Sequence, residues 1–108
     1  MSTVYAITGA VIFDGENWHE NAALVVEHGT VKSIEATSAL TADIRRVEMN
    51  GGKLVPGFID VQVNGGGGVL LNDGPSIDAI RTICDAHFAF GTTALLPTLI
   101  TDTPETTA

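Results

Sequence analysis

Two short apolar runs separated by one helical pattern constrain the fold of this chain more than any other feature. The runs are Phe58–Val63 and Thr93–Ile100, and both are rich in the β-branched and aliphatic residues that are typical of buried strands. A strand, a helix and a second strand in close succession predict a βαβ unit with parallel strands and a right-handed connection. Since both faces of a parallel pair need covering, we expect further chain to pack on it.

The helical pattern between the two runs has recognisable ends. Its apolar residues recur at helical spacing: Ile77, Ile80, Ile83, Cys84 and Phe88. Ser76 can act as the N-cap, Asp78 suits the first turn, and Gly91 is a natural stop. His87 falls in the last turn, where a cation complements the helix dipole.

The first half of the chain has the pattern of short strands joined by tight turns. Tyr5–Phe13 is a strand-rich run that Asp14-Gly15 ends. Ala22–Glu27 and Thr30–Glu35 flank His28-Gly29, which is the spacing of a hairpin with a two-residue turn. His28 is therefore interpreted as a turn residue, because His tolerates the left-handed region, rather than as a metal ligand.

A second turn signal follows in the same half. Asn50-Gly51-Gly52 separates Val47–Met49 from Lys53–Val55. His19 lies in the polar segment Glu16–Asn21, and we expect it to be exposed.

Composition and charge exclude several functions. The 108 residues carry a net charge of −8 with only five Lys and Arg, which argues against nucleic-acid or anionic-membrane partners. Cys84 is the only cysteine, so no internal disulfide can form and a reducing compartment is expected. The apolar stretch Val4–Phe13 lacks the basic flank of a signal peptide. We therefore expect a cytoplasmic protein.

The strand Phe58–Asn64 has one polar face. Asp60, Gln62 and Asn64 alternate with Ile59, Val61 and Val63. An ordinary strand with one solvated face is the simplest interpretation. However, the polar set reaches the carboxyl end of a strand in a βαβ unit, where barrels and open α/β sheets build their sites.

Four consecutive glycines, Gly65 to Gly68, follow that strand. They can form a flexible turn, or their backbone N–H groups can approach a ligand closely. No Lys-Ser or Lys-Thr follows, so the run is not a phosphate loop, and the next helix begins too late for a dinucleotide fingerprint.

The last residues predict the start of another helix. Asp102-Thr103-Pro104-Glu105 combines an N-cap candidate, a proline for the first helical position and an early acid. We expect an incomplete chain, because this helix has only just begun at Ala108.

The motifs together resemble a known family. The segment Leu54–Asp60 is similar to the approach to the first barrel strand in the amidohydrolase superfamily, whose members mostly continue with His-x-His. This sequence has Gln62-Val63-Asn64 instead, and that departure resembles the N-acetylglucosamine-6-phosphate deacetylase family. Four further segments share the resemblance: Gly65–Gly68, Asn72-Asp73, Gly91–Thr93 and Leu96–Thr101.

The resemblance implies an α/β fold: the start of a (β/α)8 TIM-like barrel in residues 56–108, after part of a small β-sandwich accessory domain in residues 1–55. It implies metal-dependent hydrolysis of the acetamido group of N-acetylglucosamine 6-phosphate by a full-length homodimer. One divalent metal ion, zinc or similar, would be held by a Glu and two His beyond Ala108, as would the base Asp. The fragment would then hold no metal ligand or catalytic residue and be inactive. Its expected pocket-lining residues are Asp60, Gln62, Asn64, Gly65 and Gly66.

Two alternatives stay open. Another amidohydrolase acting on a cyclic amide would share the Pro56-Gly57 approach but normally keeps His-x-His. The other alternative is a non-catalytic β-rich binding module with a degenerate barrel.

Overall fold

The computed structural model describes residues 3–107, and the chain divides into two compact units, Met1–Pro56 and Gly57–Ala108. The strands described in the first unit are β1 (Val4–Thr8), β2 (Val11–Phe13), β3 (Trp18–His19), β4 (Ala22–Glu27), β5 (Thr30–Ala36), β6 (Arg45–Glu48) and β7 (Lys53–Leu54). The second unit contains β8 (Phe58–Val63), β9 (Gly65–Gly66), β10 (Val69–Leu70), helix α1 (Ile77–Phe88), β11 (Thr92–Pro97) and helix α2 (Pro104–Thr107). Short 3-10 turns occupy Thr37–Ala39 and Leu71–Asp73.

The first unit contains two sheets, with strand orders β5-β4-β1-β6 and β3-β2-β7. The predicted hairpin of β4 and β5 is confirmed, with Glu27 opposite Thr30 and positive φ angles of 50° at His28 and 76° at Gly29. Both angles suit a type I′ turn, whose twist matches that of the flanking strands. The buried core of the four-stranded sheet consists of Ala6, Ala23 and Val25.

The run Tyr5–Phe13 does not form one strand. Gly9, at φ 82°, interrupts it, so β1 and β2 lie in different sheets. The segment Asn50-Gly51-Gly52 also crosses from one sheet to the other. It connects β6, which pairs in parallel with β1, to β7, which pairs in parallel with β2. A Cβ on Gly9 would overlap the Glu48 carboxylate, so the two crossing segments approach too closely for a side chain there.

The second unit contains the predicted βαβ arrangement. Strands β8 and β11 are parallel, and α1 lies between them in sequence. Ser76 caps α1, since its Oγ accepts a hydrogen bond of 3.0 Å from the Ala79 backbone N–H. The helix ends at Phe88, and Gly91 follows with φ 96°. Pro104 is the first residue of α2, as its sequence predicts.

Helix α1 packs over β9, β10 and β11, and the core lies beneath it. Val63, Leu71 and Ile83 form the buried cluster, and Ile80, Leu95 and Leu99 are among the half-buried residues around it. Earlier in β8, Ile59 and Val61 are 72% and 71% exposed, although the alternation of the strand puts them on the same face as buried Val63. The predicted apolar face is therefore covered only at its carboxyl end. Within residues 3–107, no helix is long and apolar enough to cross a membrane.

Candidate functional site

The candidate site is the carboxyl end of β8 with the hairpin that follows it. Asp60 is half-buried, and its Oδ1 accepts a hydrogen bond of 3.1 Å from the Gln62 backbone N–H. Gln62 is exposed, whereas Asn64 is half-buried. Asp60 is thus hydrogen-bonded within its own strand, whereas Gln62 presents its carboxamide to solvent.

Asn64 holds the chain that leaves β11. Its Nδ2 donates a hydrogen bond of 3.2 Å to the Thr98 carbonyl oxygen, and the Thr98 N–H donates one of 2.8 Å to the Val63 oxygen. Asn64 therefore has a structural role in addition to any contact with a ligand. The sequence pattern placed it on the polar face but did not indicate this partner.

Asn72 makes a second attachment to the same segment. Its Nδ2 donates to the Ile100 oxygen at 2.8 Å, and its Oδ1 accepts from the Ile100 N–H at 2.8 Å. Together, Asn64 and Asn72 fix the backbone of residues 98–100 beside the candidate site. Asparagine suits this task because one carboxamide supplies both a donor and an acceptor.

The glycine run forms a hairpin instead of a flexible loop. Gly65 and Gly66 pair with Leu70 and Val69, and the turn between them has φ angles of 61° at Gly67 and 80° at Gly68. Two consecutive positive φ angles are those of a type I′ turn, which favours glycine at both positions. The Leu71 N–H then donates a 2.9 Å hydrogen bond to the Asn64 oxygen and closes the loop.

The first three glycines also allow close packing. A Cβ on Gly65 would lie 2.5 Å from the Val69 oxygen, one on Gly66 would lie 2.9 Å from His87 Nε2, and one on Gly67 would lie 3.1 Å from Thr82 Cγ2. The hairpin backbone thus rests directly on neighbouring groups where a side chain would not fit. That Gly65 and Gly66 line a pocket stays a prediction.

His87 contacts the glycine hairpin, which the sequence did not indicate. It lies in the last turn of α1, as expected, but its Nε2 also makes a 2.9 Å hydrogen bond with the Gly65 oxygen. The signal available in the sequence was its position four residues after Ile83, which places both on one helix face. The partner, 22 residues away, was not indicated.

The titratable groups described in the structure do not gather at this site. Among residues 3–107, no group of three or more His, Cys, Asp or Glu side chains could hold a metal ion. Cys84 is a half-buried free thiol within α1. Gln62 and Asn64 carry carboxamides, which are poorer metal ligands than the imidazoles of His-x-His.

The first unit holds a separate hydrogen-bonded pair, His19 and Asp14. His19 Nε2 lies 2.7 Å from Asp14 Oδ2. The backbone N–H of Asn17 makes the largest contribution to lowering the Asp14 pKa from 3.8 to about 2, followed by His19 and the backbone N–H of Glu16. The His19 side chain is 36% exposed, as expected, but it is also paired with Asp14, which the sequence did not indicate.

An open groove of about 530 Å³ also lies within the first unit, along the segments where the chain passes between its two sheets. Buried Thr8 donates a 2.8 Å hydrogen bond to Glu48 Oε2, and Glu48 Oε1 accepts one of 3.2 Å from the Asn50 N–H. These polar groups are thus engaged in holding the crossing segments together.

Comparisons with known proteins extend over both units. Residues 4–54 match the family model of the NagA composite domain. The chain is 43% identical over 96 residues to an N-acetylgalactosamine-6-phosphate deacetylase of Shewanella sp. (strain ANA-3), covering 87% of this chain and 24% of that protein. It is 30% identical over 97 residues to an N-acetylglucosamine-6-phosphate deacetylase of Haemophilus influenzae, covering 90% of this chain and 26% of that protein.

A solved structure is similar over nearly the whole chain. The crystal structure of N-acetylglucosamine-6-phosphate deacetylase from Pasteurella multocida superposes with a TM-score of 0.84 and 32% identity, covering 96% of this chain and 27% of that one. The chain thus spans about a quarter of the length of the relatives it matches. The family resemblance that the sequence motifs indicated is confirmed.

Proposed function

Because the chain is related to the N-terminal quarter of the amino-sugar-phosphate deacetylases, we propose that the full-length protein hydrolyses the acetamido group of N-acetylglucosamine 6-phosphate. The products are glucosamine 6-phosphate and acetate. The observation that carries the proposal is the similarity to such deacetylases over 87% and 90% of this chain. The polar end of β8 provides the matching chemistry, since carboxamides there can bind the hydroxyl and amide groups of a sugar.

The second unit is proposed to be the first βαβ unit of a (β/α)8 barrel. Three observations support this: the parallel pairing of β8 with β11, the helix between them, and the exposed apolar residues Ile59 and Val61. Residues of this kind are covered by neighbouring helices and strands in a closed barrel. The first unit is proposed to be the N-terminal part of a β-sandwich accessory domain.

The metal and the base are assigned to parts of the full-length protein outside this chain. The described residues do not fit a metal ion, because they offer no cluster of three suitable ligands and the β8 end has Gln62 and Asn64. We propose one divalent ion, zinc or similar, held by a Glu and two His, with an Asp as the base.

The residues of this chain are proposed to line the substrate pocket. Exposed Gln62 can donate and accept hydrogen bonds toward a ligand, and Asn64 keeps its Oδ1 for one while Nδ2 holds Thr98. Asp60 supports the strand through the Gln62 N–H. Gly65 and Gly66 complete the wall with backbone groups.

A second substrate has a specific observation in its favour. The N-acetylgalactosamine-6-phosphate deacetylase is 43% identical to this chain, against 30% for the N-acetylglucosamine-6-phosphate deacetylase of Haemophilus influenzae. The two sugars differ only in the configuration at C4. N-acetylgalactosamine 6-phosphate is therefore the alternative substrate of the same reaction.

The experiment measures acetate release from both sugar phosphates by the purified full-length protein and, in a separate assay, ring opening of a cyclic amide such as dihydroorotate. Faster hydrolysis of N-acetylglucosamine 6-phosphate supports the proposal, and preference for its C4 epimer assigns the alternative substrate. Hydrolysis of only the cyclic amide overturns both and favours another amidohydrolase. No hydrolysis of any substrate by metal-loaded protein favours the non-catalytic binding module.

Metal content and assembly are measured on the same preparation. Removal of metal with a chelator is expected to abolish activity, and one ion per subunit is expected to restore it; a requirement for two would contradict the single-metal proposal. Light scattering is expected to give the mass of a homodimer. We place the reaction in the cytoplasm, in keeping with the single cysteine of this chain.

A further inference from the structure

We propose that His87 is a positioning residue for the substrate pocket, acting through the glycine hairpin that follows β8. The expected effect of His87 on the reaction rate rests on the proposed function, whereas its expected effect on the hairpin does not. The contact that carries it is the 2.9 Å hydrogen bond between His87 Nε2 and the Gly65 oxygen. A carbonyl oxygen can only accept, so Nε2 carries the proton and donates.

The helix face that carries His87 holds the hairpin by two kinds of contact. Ile83, one turn earlier, is fully buried with Val63 and Leu71, the residues that flank the hairpin on either side. His87 adds the polar contact to the hairpin itself. The apolar contacts set the distance between helix and hairpin, whereas the directional hydrogen bond selects one orientation of the Gly65 peptide.

The glycines make this arrangement possible. A Cβ on Gly66 would lie 2.9 Å from His87 Nε2 and 3.1 Å from its Cδ2, inside normal contact distance. The imidazole therefore occupies the space that a side chain at position 66 would need. A side chain at position 66 would therefore force the imidazole to move from its present position.

The held peptide is next to the residues proposed to meet the substrate. Gly65 directly follows Asn64, whose backbone oxygen accepts from the Leu71 N–H and whose Nδ2 donates to Thr98. The held Gly65 carbonyl lies one peptide beyond the Asn64 carbonyl, so a shift of the Gly65 backbone is passed directly to the backbone of Asn64 and to the side chain it carries. Sub-ångström misplacement of such groups lowers the rate of a positioned reaction.

The experiment uses the full-length protein with His87→Ala and His87→Gln. Glutamine places an amide N–H near the position of Nε2, so it can replace the donor without the ring. Arg81→Ala, on an exposed position of the same helix, and Val26→Ala, at a buried position of the first unit, serve as controls for surface change and for lost stability. Hydrogen–deuterium exchange of peptides spanning residues 64–71 and steady-state kinetics are measured for each variant.

His87→Ala is expected to raise exchange in residues 64–71 several-fold and to lower kcat/KM about three- to tenfold, mainly through kcat. His87→Gln is expected to restore most of the exchange protection and most of kcat/KM. Neither control variant is expected to show the raised exchange or the lowered kcat/KM. If the wild type deacetylates neither sugar phosphate, the proposed function fails, while exchange still decides this inference. Unchanged exchange in His87→Ala overturns the positioning role of His87. The role is also overturned if Val26→Ala, at an equal loss of stability, lowers kcat/KM by as much as His87→Ala does.

Discussion

The carboxamide of Asn72 binds both backbone polar groups of Ile100, with two hydrogen bonds of 2.8 Å. This pair connects the loop after the glycine hairpin to the chain that leaves β11, 28 residues later. With Asn64 and Thr98, it fixes the wall of the candidate site on the side of β11.

Replacing Asn72 is expected to destabilise the second unit. Asn72→Asp keeps the acceptor for the Ile100 N–H but turns a carboxylate oxygen toward the Ile100 carbonyl. It is therefore expected to lower the stability at least as much as Asn72→Ala does. Loss of the two hydrogen bonds is expected to lower stability by about 1–3 kcal/mol. Thermal denaturation measures the effect. Asn17→Ala is the control, because Asn17 is exposed and its backbone N–H, not its side chain, binds Asp14; equal shifts in both variants would contradict the assignment.

Gln62 and Asn64 are expected to respond differently to alanine. Gln62→Ala changes an exposed side chain, so it is expected to lower kcat/KM for the sugar phosphate by about tenfold while Tm stays the same. Asn64→Ala also loses the hydrogen bond to Thr98, so both kcat/KM and Tm are expected to fall. Kinetics and thermal denaturation of the two variants provide the comparison. Full activity in Gln62→Ala would remove it from the proposed pocket.

Gly66→Ala and Gly74→Ala form a matched pair of glycine substitutions. The added Cβ at Gly66 meets His87 Nε2 at 2.9 Å, whereas nothing lies within 4 Å of a Cβ at Gly74. Gly74 has φ −170°, which lies outside the positive range that favours glycine. Gly66→Ala is therefore expected to lower stability by about 1–3 kcal/mol, and Gly74→Ala to stay within about 0.5 kcal/mol of the wild type. Similar denaturation midpoints for both variants would contradict the close packing.

Asp14 is expected to titrate at about 2, below its ordinary 3.8, because its carboxylate accepts from the Asn17 N–H, His19 and the Glu16 N–H. A folded-state pKa below the unfolded value contributes stability that is fully present above pH 3.8 and is lost as the pH falls through about 2. Carbon-detected NMR of the Asp14 carboxyl group measures this titration. His19→Ala is expected to raise the pKa but leave it below 3.8, since the largest contribution comes from the Asn17 backbone. A value of 3.8 in the wild type would show that these hydrogen bonds do not persist in solution.

Local features of the fold could be read from the sequence. Helix α1 with its Ser76 cap, the β4–β5 hairpin at His28-Gly29 and the start of α2 at Pro104 all depend on residues within a few positions of one another. Capping, turn geometry and apolar periodicity act over that range, so a pattern suffices to predict them. The polar face of β8 could be placed for the same reason.

The strand exchanges in the first unit could not be predicted in this way. Tyr5–Phe13 has the residue types of one strand, but the chain crosses between sheets at Gly9 because a second segment, around Asn50, crosses beside it. That choice depends on pairing between β1 and β6 and between β2 and β7, about 40 residues apart in sequence. Residue types favour a strand without selecting its partner.

The sequence alone predicted the βαβ unit, the β4–β5 hairpin and the helix ends, and its Gln62-Val63-Asn64 motif indicated the resemblance to the deacetylases that the comparisons confirm. The contacts that hold the end of β8 in place are visible only in the folded chain. The bonds from His87 to Gly65, Asn64 to Thr98 and Asn72 to Ile100 span 22, 34 and 28 residues. The first pair meets only when α1 packs on the hairpin, and the other two only when β11 lies beside β8, so no local pattern specifies them.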